Sequence, residues 1–582
     1  MKGKVKVILI TLLILLVGTG VLLWKLNGIS QEQEKLEKAN LKEERDLLEE
    51  QKGKVIDNVK DVDIIPLYMT GDHKDVVTTT YNSVAEVYSV KKSAQAEETL
   101  TDIKKNRVFT LEDALWAYNP YGTNRNSMYV YFGTNGKTYC RYTISVDNPK
   151  IPDFTRTAYG TGQGKLTKEH EYQLLGLVAG EKNYITMKLY NAKNELSEVK
   201  TFAVRIPKSR VGATQILPSV KGRSKTEITN GLYVVFQDGA KTASGEKKCA
   251  ILLYDNSGVL RGEIPTDRYC GRNLENVYDT LLYASSATQL AQVNQLGQVT
   301  NTVSTKGYRQ SGEFAYDGYG NVYVIATKAG KKATPQSKVL EIALEDGTTT
   351  LMVDMDTLFK NVYNKAAKRA KKADVDWVGL NSVQVAGTNK LILSSKKLSS
   401  IIKVSNIGSL LPKIDYIIAD PKLYKGYKGL AKKVLKKSSG EDATAAPSET
   451  PAVRNILKKK VTPEPFQSQY GQEAVTYQKK GKRLSFLNSN VGSNAKNTGE
   501  SYYYSYKVDE TAKTYQLVNK KALDQTKRDG NVIAGKTTYV YCCSDEGLFV
   551  EGDWNGRVVK QFKTGKRPYR VYKNDFKGFW FY

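Results

Sequence analysis

Histidine is almost missing from this chain of 582 residues: only His73 and His170 occur. No imidazole is therefore available beyond residue 170 to serve as general base, metal ligand or covalent nucleophile. Cysteine is scarce as well. The five residues Cys140, Cys249, Cys270, Cys542 and Cys543 are odd in number and show no CxxC or Cys/His spacing, which argues against a zinc cluster and a disulfide framework. Neither a metal nor a cofactor is expected. Cys542 and Cys543 are neighbours and would face opposite sides of a strand, so they read as two unpaired core residues. Acidic residues are outnumbered, 60 Asp+Glu against 88 Lys+Arg, for a formal charge of +28. That balance favours anionic partners, whether surface polymers, membranes or small anions, without choosing among them.

What is abundant is tyrosine, 38 residues. Tyr interleaved with Lys could stack on nucleic acid or sugar polymers, but Tyr is in the first place a good strand residue. The length exceeds one compact core, so two or three domains are expected.

Residues 7–24, VILITLLILLVGTGVLLW, carry no charge and follow Lys2, Lys4 and Lys6. Eighteen such residues suffice to span a bilayer. Gly18-Thr19-Gly20 lies inside the run, not after it, so an uncleaved anchor over 1–25 is expected, with the lysines on the cytoplasmic side and the rest outside. A basic surface placed there does not meet nucleic acid of the cytoplasm, so no nucleic-acid partner is expected. Residues 26–55 are rich in Glu, Lys, Leu and Gln and read as a helical stalk; 56–106 read as a connecting segment. From 107 to 210 short alternating segments recur, SMYVYFG, TYCRYTISV, HEYQLLGL, NYITMKLYN and VKTFAVRI, parted by turn signals such as Thr134-Asn135-Gly136. This is the pattern of an Ig-like β-sandwich.

Over 211–582 two patterns repeat. A polar tight turn between strands occurs at YDNSGVL (254), NQLGQV (294), LEDGTTT (344), SNIGSL (405), DETAKTY (509) and DWNGRVV (553). A Gly/Asn/Lys turn feeding an apolar run occurs at GYGNVYVIA (318), GTNKLIL (387), KGKRLSF (480) and DGNVIAG (529). One turn of the first kind per four-stranded unit predicts a six-bladed β-propeller, so the chain is read as all-β apart from its N-terminal helices. Residues 356–373 place Leu358, Phe359, Val362, Tyr363, Ala366 and Ala367 on one helical face, with cations gathered at the C-terminal end as helix dipoles favour. Residues 432–460, mixing Lys runs with Ser, Ala, Thr and Pro, read as a disordered insertion.

The stretch DVDWVGLNSVQVAGTNKLILSSKKLSSIIKV, 374–404, holds both the repeat and the clearest trace of a site. Asp376-Trp377-Val378-Gly379-Leu380-Asn381 crowds a Trp and two polar-binding side chains at a strand start. It resembles the Asp-Trp-x-His-x-Asn motif of the bacterial arylsulfotransferases. Leu393-Ser394-Ser395-Lys396 falls on that family's Ser-Ser-Arg and Gly471-Gln472-Glu473-Ala474 on its Gly-Gln-His-Ala. Ser311-Gly312-Glu313, ahead of Gly320-Asn321, takes the place of a His-His-Asp, and Asn119-Pro120-Tyr121-Gly122-Thr123, His170, Gly176-Leu177 and Asn183 are similar to motifs of the family's first domain. The likeness covers roughly residues 107–582.

The resemblance implies sulfuryl transfer from an aryl sulfate to a phenol through a sulfated histidine, with cations and donors preplaced for the three equatorial oxygens, as in phosphoryl transfer. The family is bacterial, and the run at 7–24 makes the expected setting a single-pass, extracytoplasmic one. The departures are severe: Glu473 stands at the nucleophile, Gly379 and Gly312 at further histidines, and Lys396 for the arginine. Each lost acid/base group is worth roughly 10²–10⁴ in rate. Asp376, Trp377, Asn381, Lys396 and Lys397 remain as ligand-binding candidates. Three readings stay open: a binding or scaffold module with lost or altered catalysis, direct transfer assisted by Lys396 and Asn381, and a binder of anionic surface polymer. Glu313 and Glu473, so far apart in sequence, are read as unrelated unless the fold brings them together.

Overall fold

The computed structural model describes residues 81–160, 166–241, 245–330, 333–409, 411–438, 466–492 and 500–582, with short strands at 64–65 and 76–78. The expected anchor, the stalk and most of the insertion lie outside the described residues. Among the described residues no helix is long and apolar enough to cross a membrane.

Six four-stranded antiparallel sheets follow one another from Leu232 to Asn574, in sequential order except that the first takes its innermost strand from the far end of the chain; the fifth and sixth are widened by one strand. All six tight turns of the first pattern join the third and fourth strands of successive sheets. Their chemistry explains the regularity. Asp255 Oδ1 accepts from the Ser257 and Val259 amides at 2.8 and 2.9 Å, and Asn294 and Asp553 cap their turns in the same way. The second pattern is less uniform. The segments at 318, 387 and 480 join first and second strands, whereas DGNVIAG at 529 leads into a first strand, Asn531–Ala534.

Closure is made at both ends of the chain. The C-terminal strand Pro568–Asn574 pairs with Leu232–Lys241 and becomes the innermost strand of the first sheet. Ser219–Lys221 adds to the outer edge of the sixth, beside Val558–Lys563. A closed ring leaves few free edges.

The sandwich ahead of the ring is built on one long strand, Ser127–Val146. Its first half pairs with Leu115–Tyr118 and Thr167–Leu175, its second half with Phe154–Thr157 and Lys182–Tyr190. The turn expected at Thr134-Asn135-Gly136 is therefore absent: the strand runs through, with a register shift between Gly133 and Thr138 as it passes from one sheet to the other. The connecting segment also contains a helix, Val90–Asn106, capped by Ser89. It is fixed to the second blade by the Val299 amide, which donates to buried Ser93 Oγ at 2.8 Å.

Two further expectations change. The helix read as 356–373 begins at Met355, capped by Asp354, and is broken at Phe359 before Lys360–Ala370. The start of the insertion read as disordered is ordered, since Lys436–Lys437 pairs in parallel with Thr514–Tyr515. Sandwich and ring are pinned by Trp580, 5% exposed, whose Nε1 donates to Gln173 Oε1 and Gln295 O, both at 3.1 Å. Trp580→Ala is expected to cost about 3–5 kcal/mol, read as a lowered urea midpoint. A midpoint within error of the parent would contradict this role.

Candidate functional site

The site lies where the innermost strands begin. At four of them the β ladder is interrupted, and in each case a polar residue sits in or directly beside the interruption. Register shifts fall between Gln310 and Phe314, around Glu313; between Leu380 and Ser382, at Asn381; between Glu473 and Thr476; and opposite Phe236 and Gln237, at Tyr569-Arg570. A bulge twists the strand and re-aims a side chain. Ala474, at φ 51°, shows the local kink beside Glu473.

The four residues meet on one guanidinium. Arg570, fully buried, donates Nε to Glu313 Oε1 at 3.1 Å, Nη2 to Glu473 Oε2 at 3.2 Å, Nη2 to Asn381 O at 3.4 Å, and Nη1 to Gly530 O. Glu473 Oε1 accepts from Lys396 Nζ at 2.7 Å, and that ammonium also donates to Lys527 O at 3.0 Å. Lys396, Glu473, Arg570 and Glu313 thus form a chain of alternating charge running from a partly open end inward. Beside it Arg272 and Arg567 share Asp529, at 3.3 and 2.6 Å. Both guanidinium carbons lie 5.6 Å from the centre of the Tyr569 ring.

The environment separates the two carboxyls. Burial would raise Glu473, but Lys396 and Arg570 outweigh it and hold the group below its ordinary value. At Glu313 burial wins over Arg570 and Arg272, with the Glu473 charge acting in the same direction, so that carboxyl is raised. Burial opposes the charge on Arg570 as well; its two carboxylates overcome this and raise it.

The residues proposed from sequence are divided by the fold. Glu313, Gly379, Lys396 and Glu473 do converge. The Lys396 amide donates to Gly379 O at 3.1 Å. Asn381 belongs to the site, its Nδ2 donating to Gln472 O at 2.7 Å, while the buried acceptors Asn381 Oδ1 and Gln472 Oε1 have no partner among the described residues. Trp377 does not belong to it: the ring packs in the core with Phe359 and Tyr363, and Nε1 donates to Asp356 at 2.8 Å. Asp376 and Lys397 pair with each other at 3.2 Å, both about half exposed. Two glycines resist refilling. A Cβ on Gly312 (φ 87°) would lie 2.9 Å from the Arg272 amide nitrogen, and one on Gly379 (φ 50°) 3.0 Å from Lys397 Cγ. His170, in the sandwich, stacks on Phe132 at 4.6 Å and contacts Thr138 and Tyr172 hydroxyls at 2.9 and 2.6 Å, and burial pushes it down to about 4.

Sequence reasoning missed Arg570, Arg272 and Tyr569. The available signal was closure: a ring whose last strand is innermost must turn some residues of RPYRVYKN inward. Beside the charged chain a depression of ≈ 240 Å³ is walled by Tyr269 and Tyr569, with Arg272, Lys247, Gln310 and Ser311 among its lining residues. Replacing Arg570 by Met leaves two buried carboxylates facing each other and is expected to cost about 3–5 kcal/mol at neutral pH. Glu473 keeps Lys396, but Glu313, already raised, loses its principal cation and would titrate higher still, so the variant should regain stability as pH falls and Glu313 takes up a proton, whereas the parent loses the Glu473 contribution as pH falls through that group's lowered pKa. Urea midpoints at several pH values check this. A variant whose pH profile parallels the parent's would refute it.

No curated protein matches the chain. Among solved structures, the periplasmic gluconolactonase of Pseudomonas aeruginosa is similar at 11% identity over 74% of this chain and 99% of its own, with a TM-score of 0.30. A protein of Lactobacillus plantarum matches at 11% over 60% and 100%, TM-score 0.31, and BamB of Moraxella catarrhalis at 9% over 63% and 98%, TM-score 0.29. Likenesses this distant bear on no residue of the site. The family described as Arylsulfotransferase (ASST) matches residues 218–530, ending before the strand that carries Arg570, and the Arylsulfotransferase Ig-like domain matches 115–206. With more than half of its length matched, and with the sandwich and ring in the order that those two domains take, the chain belongs to the arylsulfotransferase family.

Proposed function

We propose that this chain is a membrane-tethered, outward-facing member of the family that binds an aromatic anion, an aryl sulfate or phenolate, beside the ring axis and has given up transfer through a covalent adduct. One observation carries the reading. Glu473, at the position of the family's nucleophilic histidine, has both oxygens held by cations, at 2.7 Å by Lys396 and 3.2 Å by Arg570. A carboxylate so paired is a poor nucleophile, and a sulfated carboxylate would be a reactive mixed anhydride and not a stable carrier. Lys396 Nζ and Asn381 Nδ2, the donors that direct transfer would use, already serve Glu473, Lys527 and Gln472.

Binding is supported by the depression beside this chain of charges. Tyrosine rings offer stacking surface, Arg272 a planar donor set for sulfonate oxygens, and Gln310 and Ser311 neutral polar groups. Tethering rests on the uncharged run at 7–24.

A second reading, direct transfer between donor and acceptor, is favoured by Glu275. It stands on an innermost strand, and burial pushes its carboxyl up to about 7 despite hydrogen bonds from Asn273 and the Tyr316 amide. That is a suitable value for a general base.

Calorimetric titration with p-nitrophenyl sulfate and a turnover assay with a phenol acceptor separate the two. Expected are saturable binding, at least roughly tenfold weaker in Arg272→Ala as for loss of a charge-assisted hydrogen bond, and no release of p-nitrophenolate above background. Release that disappears in Glu275→Gln would replace the binding reading with the second. Release abolished by Lys396→Ala would overturn the account of the blocked axis.

A further inference from the structure

The basic charge of this protein is concentrated. Residues 360–438 hold 18 Lys or Arg against 4 Asp, a balance of +14 out of +28 for the whole chain. Most of these cations lie on two insertions at the fourth blade. One is the helix Lys360–Ala370 with its tail to Lys372. The other runs from the blade's last strand through the turn Pro421–Tyr424 and the helix Lys428–Ala431 to the strand Lys436–Lys437, which joins the fifth blade.

The two insertions form one surface. Val362, Tyr363 and Ala366 of the first and Leu423, Leu430 and Val434 of the second pack against the same core cluster. Lys365 Nζ lies 5.7 Å from the centre of the Tyr427 ring. With their apolar sides inward, every Lys and Arg of the two insertions is exposed. Among the described residues none of them is paired with a carboxylate. Three of the four acids of the stretch have partners of their own: Asp376 with Lys397, Asp415 with Ser405, and Asp420 with the Lys422 amide and the Tyr470 hydroxyl. Helix-dipole complementarity accounts for cations at the end of Lys360–Ala370; it does not account for those from Lys422 to Lys437.

We infer that this face of the fourth blade docks a linear polyanion with closely spaced phosphate groups. Lysine predominates, supplying mobile point charges suited to a flexible phosphate chain and not the planar forks that read a fixed geometry. Doublets such as Lys371-Lys372 and Lys432-Lys433 suit a high linear charge density. The apolar sides are half-buried against the core cluster, so the surface presents no protruding hydrophobic wedge with which to enter a bilayer. The inference stands apart from the ring-axis reading and does not rest on it.

The test uses the full chain, inorganic polyphosphate as the probe, and a salt titration. Affinity should fall steeply with salt, as expected when several phosphates are neutralised. The variant Lys368→Glu, Lys371→Glu, Lys422→Glu, Lys432→Glu should lose roughly a hundredfold in affinity, while keeping the parent's urea midpoint and its binding of p-nitrophenyl sulfate. The Gln version of the same four substitutions should show a smaller loss of the same kind. Undiminished polyphosphate binding in the Glu variant, a shallow salt slope, or tighter binding to vesicles of anionic lipid than to polyphosphate would overturn the inference.

Discussion

A single buried guanidinium holds the centre of this molecule together. Arg570 is carried on the strand that closes the ring and reaches carboxylates from the third and fifth blades and a carbonyl from the fourth. An arginine without water is costly unless its donors are met and its charge is balanced. Here Glu313, Glu473, Asn381 O and Gly530 O meet them, which joins blades that share no strand. Ring closure and the electrostatics of the axis are therefore one event, because the last strand brings the cation that lets two carboxylates be buried.

The altered family positions read together. An imidazole can alternate between donor and acceptor and can hold a sulfuryl group; a carboxylate flanked by Lys396 and Arg570 does neither while those bonds last. The glycine positions agree with this. Side chains at 312 or 379 would meet the Arg272 backbone or the Lys397 stem, so refilling one position with histidine would not restore the others. On the proposed reading, an internally neutralised chain of charge stands where the carrier would be, and a ligand would take the arginine- and tyrosine-lined depression beside it.

Local signals were legible in the sequence. Five of the six tight turns are capped by an Asp or Asn side chain, so each could be read from a few neighbouring residues, and all six fall at the same place in successive sheets. The convergence of Glu313 and Glu473 was posed as a question by the family motifs and answered by the fold. What escaped was long-range or broke periodicity. Arg570 joins the first blade from the far end of the chain. The bulges that aim the axial residues inward are interruptions in the alternation on which strand reading depends. Trp377 misled because a Trp beside an Asp suggests a ligand wall, whereas its indole is held by Asp356 from a helix that the sequence placed but did not dock. The strand Ser127–Val146 hid behind a Thr-Asn-Gly turn signal that a bend between two sheets also satisfies.

The central claim, that the axis can no longer carry a sulfuryl group, is tested most directly by incubating the protein with an aryl sulfate bearing labelled sulfur, quenching, and searching its peptides for covalent label by mass spectrometry. The account predicts an unlabelled chain, with Glu473 unmodified. A sulfated side chain in the ring, formed during incubation and discharged on addition of a phenol, would contradict it.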